Sequence, residues 1–389
     1  MPAGIDEIYD LTMERIKQHP QESLARLALS WIVCATRPLR VEEVQHAIAI
    51  DDLEPEDRSI AEESLTPEAF IVDACAGLIK IDEESKIIGL VHKTTQEYFD
   101  RKGVTHFQDV HLHIGIRCLK YLSLDVFSDG SCLTDELFES RLRENKLLHY
   151  AAQNIGNHIR EETPREFQDP ALKFLMDTHK LSYATQVLYV TRREWRTTGY
   201  SQWYPRDFSG IHYAAHFGWT EIAKCFIDSP EANVDLKDSY SQTPLSLAAE
   251  NGHEGVVKLL IVEGKADVDA KDDYGGTALW WAATNGHESV VKLLIVEGKA
   301  DVDLRDERGR TALWRAAMNG HESVVKLLIV EGKANVGSKD EKGRTALWIA
   351  AVNGHEGVVK LLIVEGKADV DLEDDIYQTA LLQVVHYKH

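Results

Sequence analysis

The sequence is poor in positive charge. Its 43 Lys and Arg residues stand against 64 Asp and Glu residues, which gives a formal net charge of −21. Phosphate groups attract clustered Lys and Arg, so a chain this acidic is a poor non-specific ligand for DNA, RNA or anionic lipid. We therefore expect no nucleic-acid partner and no membrane partner.

The sequence has few cysteines, and their spacing suggests no pairs. The five cysteines are Cys34, Cys75, Cys118, Cys132 and Cys225, and no two of them have CxxC spacing. An odd, scattered set indicates neither a disulfide framework nor a zinc site. We interpret these residues as free thiols of a protein in a reducing compartment.

Long apolar runs are missing as well. No stretch approaches the 18 apolar residues that a transmembrane helix needs, and the first ten residues carry Asp6, Glu7 and Asp10 instead of the basic and apolar regions of a secretory signal. We expect a cytoplasmic protein, with the nucleus as the alternative.

Two catalytic signatures are absent from the sequence. There is no GxxxxGK[ST] loop to cradle the phosphates of a nucleotide, and no GxSxG elbow to present a nucleophilic serine. We therefore predict that the chain is not an enzyme, does not hydrolyse ATP or GTP, and uses no cofactor and no metal.

The sequence does contain one copied stretch. The run NGHExVVKLLIVEGKA begins at Asn251 and returns at Asn285, Asn319 and Asn353, at intervals of 34 residues. A period in this range is typical of a solenoid, in which each unit buries its apolar face by stacking on its neighbours.

Within one copy each residue type has a physical role. Thr277 is expected to cap a first helix, Asn285-Gly286 to reverse the chain, and Gly298 to end a second helix. The histidine of each copy cannot share a metal ion with the next, because packed helices lie about 8–10 Å apart and zinc ligands approach to about 2 Å. We interpret the histidines as bridges between repeats.

The pattern T-A-L-W-x-A-A-x-N-G-H-E resembles the T-P-L-H-x-A-A-x-x-G-H of ankyrin repeats, with one extra Lys per unit. We count one degenerate unit, four full units and one truncated unit, which start at Ser209, Thr243, Thr277, Thr311, Thr345 and Thr379. The truncated unit ends at His389, before any second helix, so we predict that its end is frayed.

The N-terminal half reads as three helices followed by a β-hairpin with strands over 78–81 and 86–91. This is the element order of a winged helix. Thr94 and Glu97 have capping-box spacing and predict a further helix through Tyr98 and Phe99. Residues 161–206 are expected to form a lead-in to the repeats.

Three separated motifs carry a second resemblance: Trp31 with Arg37-Pro38-Leu39 and the run EEVQHA from Glu42, Cys75-Ala76-Gly77-Leu78, and Leu90-Val91-His92-x-Thr94-x-x-Glu97-Tyr98-Phe99. They resemble the winged-helix domain also found in GPI inositol-deacylases. In fungal NACHT-type proteins, which are relatives of NOD-like receptors, this domain follows an NTPase module and precedes ankyrin repeats.

The resemblance implies that the chain is the C-terminal sensor or regulatory arm of a fungal NLR-like signalling system, without an NTPase module. A NACHT module in trans is one candidate partner. The alternative is a fragment of a larger nucleotide-dependent STAND ATPase or GTPase. DNA binding is not the role that the resemblance implies for the winged helix.

These observations predict a mainly α fold, with a winged-helix domain and a helical bridge followed by an ankyrin-repeat solenoid. We place a linker helix at 1–19, the winged-helix domain at 20–105, the bridge at 106–205 and the repeats at 206–389.

Comparison of the copies with one another suggests where a protein partner binds. The second-helix stretch is nearly identical in all copies, whereas changes cluster in the first helix and in the fingers between units. We predict a concave binding surface made of Tyr240, Tyr274, Trp280, Trp281, Arg308, Arg310, Trp314, Arg315, Met318, Lys342, Arg344, Trp348, Ile349 and Val352. Drift or recent gene conversion is the alternative explanation.

Two features of this surface stay open. The ladder of Trp280, Trp314 and Trp348 would serve either for binding or for packing between repeats. The basic side chains of the surface would receive an acidic partner or the chain's own acidic N-terminal half. We also expect Trp281 and Arg315 to contribute to binding and little to stability.

Overall fold

The computed structural model describes residues 3–53, 58–107, 109–159, 163–190 and 197–375. It is mainly helical and falls into two compact units, Met1–Ile159 with Pro164–Tyr204, and Arg160–Thr163 with Pro205–His389. Within the described ranges, no helix is both long and apolar enough to span a membrane.

The first unit opens with five helices and a small sheet. The helices are Ala3–Lys17, Glu22–Cys34, Val41–Ala49, Glu68–Ala74 and Lys93–His106. The strands are Leu39–Arg40 (β1), Ile79–Ile81 (β2) and Ile87–Leu90 (β3). All pairs are antiparallel, the order is β1-β3-β2, and Ile88 of the central strand pairs with both Leu39 and Ile81.

The core of this part of the chain is made of side chains from the helices and from the central strand. Trp31, Val44, Ile71 and Ile88 are all buried. Strands β2 and β3 form the predicted hairpin, which is confirmed. Strand β1 is an edge strand that the sequence did not indicate, because only two residues form it.

The predicted capping box at Thr94 and Glu97 is wrong. The helix already begins at Lys93, and the Thr94 hydroxyl lies 2.8 Å from the Tyr9 hydroxyl of the first helix. Thr94 thus links two helices, because a hydroxyl inside the first turn is free to bond outward.

Five more helices complete the first unit: Val110–Leu122, Asp135–Glu144, Leu148–His158, Arg165–Met176 and Thr178–Tyr189. The last two fall in the segment predicted as a lead-in, so that prediction is incomplete. Phe167, Ala171, Phe174 and Leu175 carry the helical spacing and are buried, which is the signal that the sequence offered.

The second unit contains five described helix pairs, which we number repeats 1 to 5. Their first helices are Gly210–Phe217, Pro244–Glu250, Ala278–Asn285, Ala312–Asn319 and Ala346–Val352. Their second helices are Thr220–Ile227, Glu254–Val262, Glu288–Val296, Glu322–Val330 and Glu356–Val364. The truncated unit that starts at Thr379, with its predicted frayed end, lies outside the described residues.

The predicted cap of the first helix is confirmed. In repeat 3 the Thr277 hydroxyl accepts the backbone N–H of Trp280 at 3.3 Å, and Thr311 and Thr345 do the same in repeats 4 and 5. The second helix buries Val290, Val291 and Leu294, as the copied pattern predicts.

The histidines bridge consecutive repeats, which confirms their predicted structural role. In each copy the ring Nε2 donates to a backbone carbonyl of the preceding repeat. The four bonds run from His253 to His216, His287 to Glu250, His321 to Thr284 and His355 to Met318, at 2.9–3.0 Å.

The glycine before each bridging histidine is required by geometry. Gly286 ends the first helix of repeat 3 with φ 78, a conformation that side chains disfavour. A Cβ built on it would lie 2.7 Å from Nδ1 of His321 in the next repeat. The copied Asn-Gly-His is therefore a junction between repeats.

The extra lysine of each copy occupies a strained position. Lys265, Lys299, Lys333 and Lys367 have φ between 52 and 58, whereas the glycine before each is not left-handed. That glycine is needed for space instead: a Cβ on Gly298 would meet the Leu294 carbonyl at 2.8 Å. The left-handed turn therefore falls on a residue with a side chain, which costs about 1–2 kcal/mol.

We expect glycine to be better than lysine at these four positions. Replacing Lys265, Lys299, Lys333 and Lys367 with glycine together should raise the unfolding free energy by about 0.5 kcal/mol per site, because relief of the left-handed strain exceeds the entropy cost of glycine. Urea denaturation measures the change. As a control, Lys292→Gly inside a second helix should lower stability by about 1 kcal/mol. Equal losses at both kinds of site would contradict this account.

Candidate functional site

Four finger loops connect the repeats, over 238–242, 272–276, 306–310 and 340–344. Each begins with a buried aspartate whose Oδ1 accepts the backbone N–H groups two and four residues later, at 2.8–3.0 Å. Consecutive loops are joined through the main chain, as where Glu307 N donates to Tyr274 O at 3.0 Å. The four loops are thus one structure repeated.

The second carboxylate oxygen, Oδ2, has a different donor from loop to loop. In repeat 4, Arg310 gives Nε and Nη2 to Asp306 Oδ2, each at 2.7 Å. In repeat 5, Arg344 gives the same two groups to Asp340 at 2.9 and 2.6 Å. In the loop before repeat 3, the indole Nε1 of Trp281 reaches Asp272 at 2.7 Å.

Asp238, in the loop before repeat 2, differs from the other three. It is 5% exposed, and its Oδ2 has no hydrogen-bond partner within the described residues. Burial raises its pKa to about 6, the negative charges of Asp273 and Asp272 add to this, and the two backbone N–H groups oppose it.

Glu250 completes this acidic region. Its carboxylate accepts Nε2 of Gln242 at 3.4 Å, and its pKa is raised, first by burial and further by the charges of Asp272 and Asp238. We call Asp238, Gln242 and Glu250 the acidic corner. It holds two carboxylates whose ionised forms the surroundings disfavour.

The raised pKa of Asp238 gives a pH-dependent stability. A carboxyl that binds its proton more tightly when folded contributes stability below its unfolded pKa of about 4, and that contribution is lost as the pH rises through about 6. Asp238→Asn should therefore be more stable than the wild type by about 2 kcal/mol at pH 7, and the gain should vanish near pH 4.

Urea denaturation from pH 4 to 7 tests this difference. The matched control is Asp306→Asn, which removes the charge opposite Arg310 and should destabilise the protein at pH 7. A difference between Asp238→Asn and the wild type that does not change with pH would contradict the prediction.

The tryptophan ladder lies under a layer of arginines. Trp280 and Trp314 are 4% exposed, and Trp348 is half-buried. The Arg315 guanidinium lies 4.0 Å from the centre of the Trp280 ring, and Arg344 lies 5.6 Å from Trp314 and 5.4 Å from Trp348. The sequence leaves open whether the ladder serves for binding or for packing between repeats, and Trp280 and Trp314 pack between repeats.

Arg315 is the exception among these arginines, because it forms no ion pair with a carboxylate of the described residues. It is half-buried, its Nη1 lies 3.9 Å from the Met318 sulfur, and its buried Nε has no acceptor within the described residues. Burial lowers its pKa to about 10, with a further decrease from the charge of Arg310. Its charge is therefore available to a group from outside.

The structure joins seven of the predicted surface residues into one run of contacts. Trp280 meets the Trp281 ring edge-on at 4.8 Å and also contacts the Arg315 guanidinium, and the arginines of repeats 4 and 5 extend the run. The members are Trp280, Trp281, Arg310, Trp314, Arg315, Arg344 and Trp348.

The other seven predicted residues lie around this run with different exposure. Tyr274 is 62% exposed, and Arg308 and Lys342 are also exposed. Tyr240, Met318 and Val352 are half-buried, and Ile349 is buried. The exposed members of the predicted surface are therefore Tyr274, Arg308 and Lys342, and Arg315 and Met318 are half-buried beside them.

Two interpretations from the sequence need correction. Arg310 and Arg344 are bound to buried aspartates, so they do not add free positive charge to the basic side chains. Trp281 holds the Asp272 carboxylate, so its removal affects stability as well as any binding. The aspartates are not among the residues predicted from the sequence, although the recurrence of Asp every 34 residues, at 238, 272, 306 and 340, is their sequence signal.

A double-mutant cycle measures the bond between Trp281 and Asp272. Trp281→Phe keeps an aromatic side chain and removes the indole N–H group, and Asp272→Asn removes the charge. We expect a coupling energy of about 1.5–3 kcal/mol between the two changes, which is usual for a hydrogen bond to a charged group. Additive losses in urea denaturation would show that the bond adds nothing to stability.

Metal binding finds no support in the described ranges, where no group of three or more His, Cys, Asp or Glu side chains is placed to hold an ion. Among the histidines of the first unit, His111 lies with its Nδ1 2.9 Å from Nδ1 of His158.

Comparison with known families gives two matches. A family model described as ankyrin repeats (3 copies) matches residues 211–306 and 279–374. A second, described as the winged helix domain of GPI inositol-deacylase, matches residues 11–107. No curated protein matches the chain significantly. The chain therefore carries a winged-helix domain of the GPI-inositol-deacylase type, followed by ankyrin repeats.

Proposed function

We propose that the repeat array binds a protein partner through the surface formed by its finger loops and first helices. The observation that carries the proposal is that the copies are nearly identical in the second helix and differ elsewhere. Val290, Val291 and Leu294 of the second helix are repeated because each must stack in the same way. The changes fall at Tyr274, Arg308 and their neighbours instead.

The exposed members of this surface have the chemistry of protein-binding residues. Tyr274 presents a rigid aromatic ring, and Arg315 presents a half-buried guanidinium on the face of Trp280. Tyrosine, tryptophan and arginine dominate binding energy at protein interfaces because they combine large apolar area with directed polar groups.

The charge of the partner follows from the same contacts. Arg308, Arg315 and Lys342 have no ion-pair partner among the described residues, and they are the groups that an acidic side chain of the partner would meet. Glu307 and Glu341 are exposed in the same finger loops and oppose a strongly acidic partner. We therefore propose one acidic group, placed against Arg315, and not a broad acidic surface.

Site-specific photo-cross-linking tests the proposed surface. A photoreactive phenylalanine at position 274 or 308 should cross-link one and the same protein in cell extract. At position 292 or 326, on exposed residues of the second helices, it should not. Arg315→Ala should reduce the yield at position 274 at least tenfold, as expected for loss of a buried anchor. Equal yield at all four positions would contradict the proposal.

The wider role that we propose is regulatory and non-enzymatic. A winged helix of this type is not the catalytic part of its relatives, and ankyrin repeats are typically non-catalytic. The order of the two matched families, with the winged helix before the ankyrin repeats, supports a sensor arm in an NLR-like signalling system. For this arm we propose a place in the cytoplasm and a NACHT-type NTPase as partner in trans. The alternative is that the chain belongs to a larger STAND ATPase or GTPase. An in-frame phosphate-binding loop upstream in the same transcript would favour that alternative.

A further inference from the structure

The four finger loops form an internal series in which one member is incomplete. All four hold their aspartate by the same two backbone N–H groups. In three of them a side-chain N–H donor satisfies the buried Oδ2, and in two of those three the donor is an arginine of the chain itself. The series therefore shows that the buried Oδ2 accepts a side-chain N–H group, which is an arginine group in two of the loops.

The acidic corner lacks that donor. Gln242 stands where Arg310 and Arg344 stand in repeats 4 and 5, and Leu247 stands where Trp281 stands in repeat 3. Leucine has no polar group, and the Gln242 amide is directed at Glu250, at 3.4 Å, and not at Asp238. Asp238 Oδ2 is left buried with no partner within the described residues.

We propose that the acidic corner is a binding site for a guanidinium group, supplied by an arginine side chain of the protein partner. This inference rests on the proposed function, because it names a second chemical feature of the same partner. The partner's arginine would take the place that Arg310 and Arg344 occupy in their own loops.

The geometry of the filled loops favours guanidinium over a simple cation. Arg310 and Arg344 each direct Nε and Nη2 at the same carboxylate oxygen. A planar fork with several donors can satisfy Asp238 and still reach the adjacent Glu250 carboxylate, whereas an ammonium group is a single compact charge.

The electrostatics of the corner agree with this occupant. The charges that act most on Asp238 are those of Asp273 and Asp272, and both are negative. Burying a carboxylate among like charges costs free energy unless a cation accompanies it. A guanidinium that binds beside Asp238 therefore offsets this cost.

Access requires one local movement. Gln242 is 9% exposed, and among the described residues its side chain makes one hydrogen bond, the 3.4 Å bond to Glu250. A rotation of the Gln242 amide away from Asp238 opens this carboxylate without disturbing the loop. The loop contact is made by the backbone N–H of Gln242, which donates to Oδ1 of Asp238, and not by the side chain.

The test uses the full chain and the peptide acetyl-Gly-Arg-Gly-amide, with the citrulline peptide as its neutral isostere. Titration followed by amide resonances should give saturable shifts at Tyr240, Gln242 and Leu247 with the arginine peptide. The citrulline peptide should bind at least fivefold more weakly. Equal binding of both peptides, or shifts confined to repeats 4 and 5, would overturn the proposal.

Two variants sharpen the test. Gln242→Arg supplies the chain's own guanidinium, in the arrangement that repeats 4 and 5 already fold around, and should weaken arginine-peptide binding at least tenfold. Ser289→Arg adds the same charge at an exposed position of a second helix and should leave binding unchanged. Peptide binding that survives Gln242→Arg would show that the corner is not the site.

The same variants separate this inference from the proposed function. If the protein cross-linked through position 274 is captured by Gln242→Arg as well as by the wild type, the acidic corner is not used and the binding surface stands. If the wild type gives no selective cross-link at position 274, the proposed function fails whatever the peptides do.

Discussion

The junction between repeats is the constraint on which the array depends. A histidine Nε2 donates to a main-chain carbonyl of the preceding repeat, and the glycine beneath the next histidine leaves no room for a side chain. A repeat cannot bury its apolar helix faces alone, so this junction must form the same way at each step. The copied Asn-Gly-His follows from it, and so do the buried Val290, Val291 and Leu294 of the second helix.

The finger aspartates impose a second, local constraint. Each loop is closed by a carboxylate that is itself buried, and a buried carboxylate needs a donor. The chain meets this need with arginine in two loops and with an indole in a third. Residues that look like surface charge in the sequence are thereby part of the loop structure. The acidic corner is the place where the same need is not met from within the described residues.

Much of the fold could be predicted from the sequence, because its signals are periodic. The 34-residue interval, the threonine caps and the apolar pattern of the second helices each translate into the observed repeat. The candidate site could be predicted only in part. Sequence comparison located Trp281, Arg310 and Arg344 but could not tell that their polar groups face inward, since that depends on an aspartate four or nine residues earlier. The helices Arg165–Met176 and Thr178–Tyr189 were missed because no repeat or motif drew attention to their apolar spacing.

The acceptors of the histidine bridges belong to His216, Glu250, Thr284 and Met318. Three of these, Glu250, Thr284 and Met318, occupy one of the positions at which the copies differ most. The bridge uses only the carbonyl oxygen, and Asn285, Asn319 and Asn353 donate to the same oxygens. The junction therefore does not depend on which side chain the acceptor residue carries. A new side chain can appear there by mutation without a matching change in the histidine bridge. The side chains at these positions can therefore change one at a time while the assembly of the array stays the same.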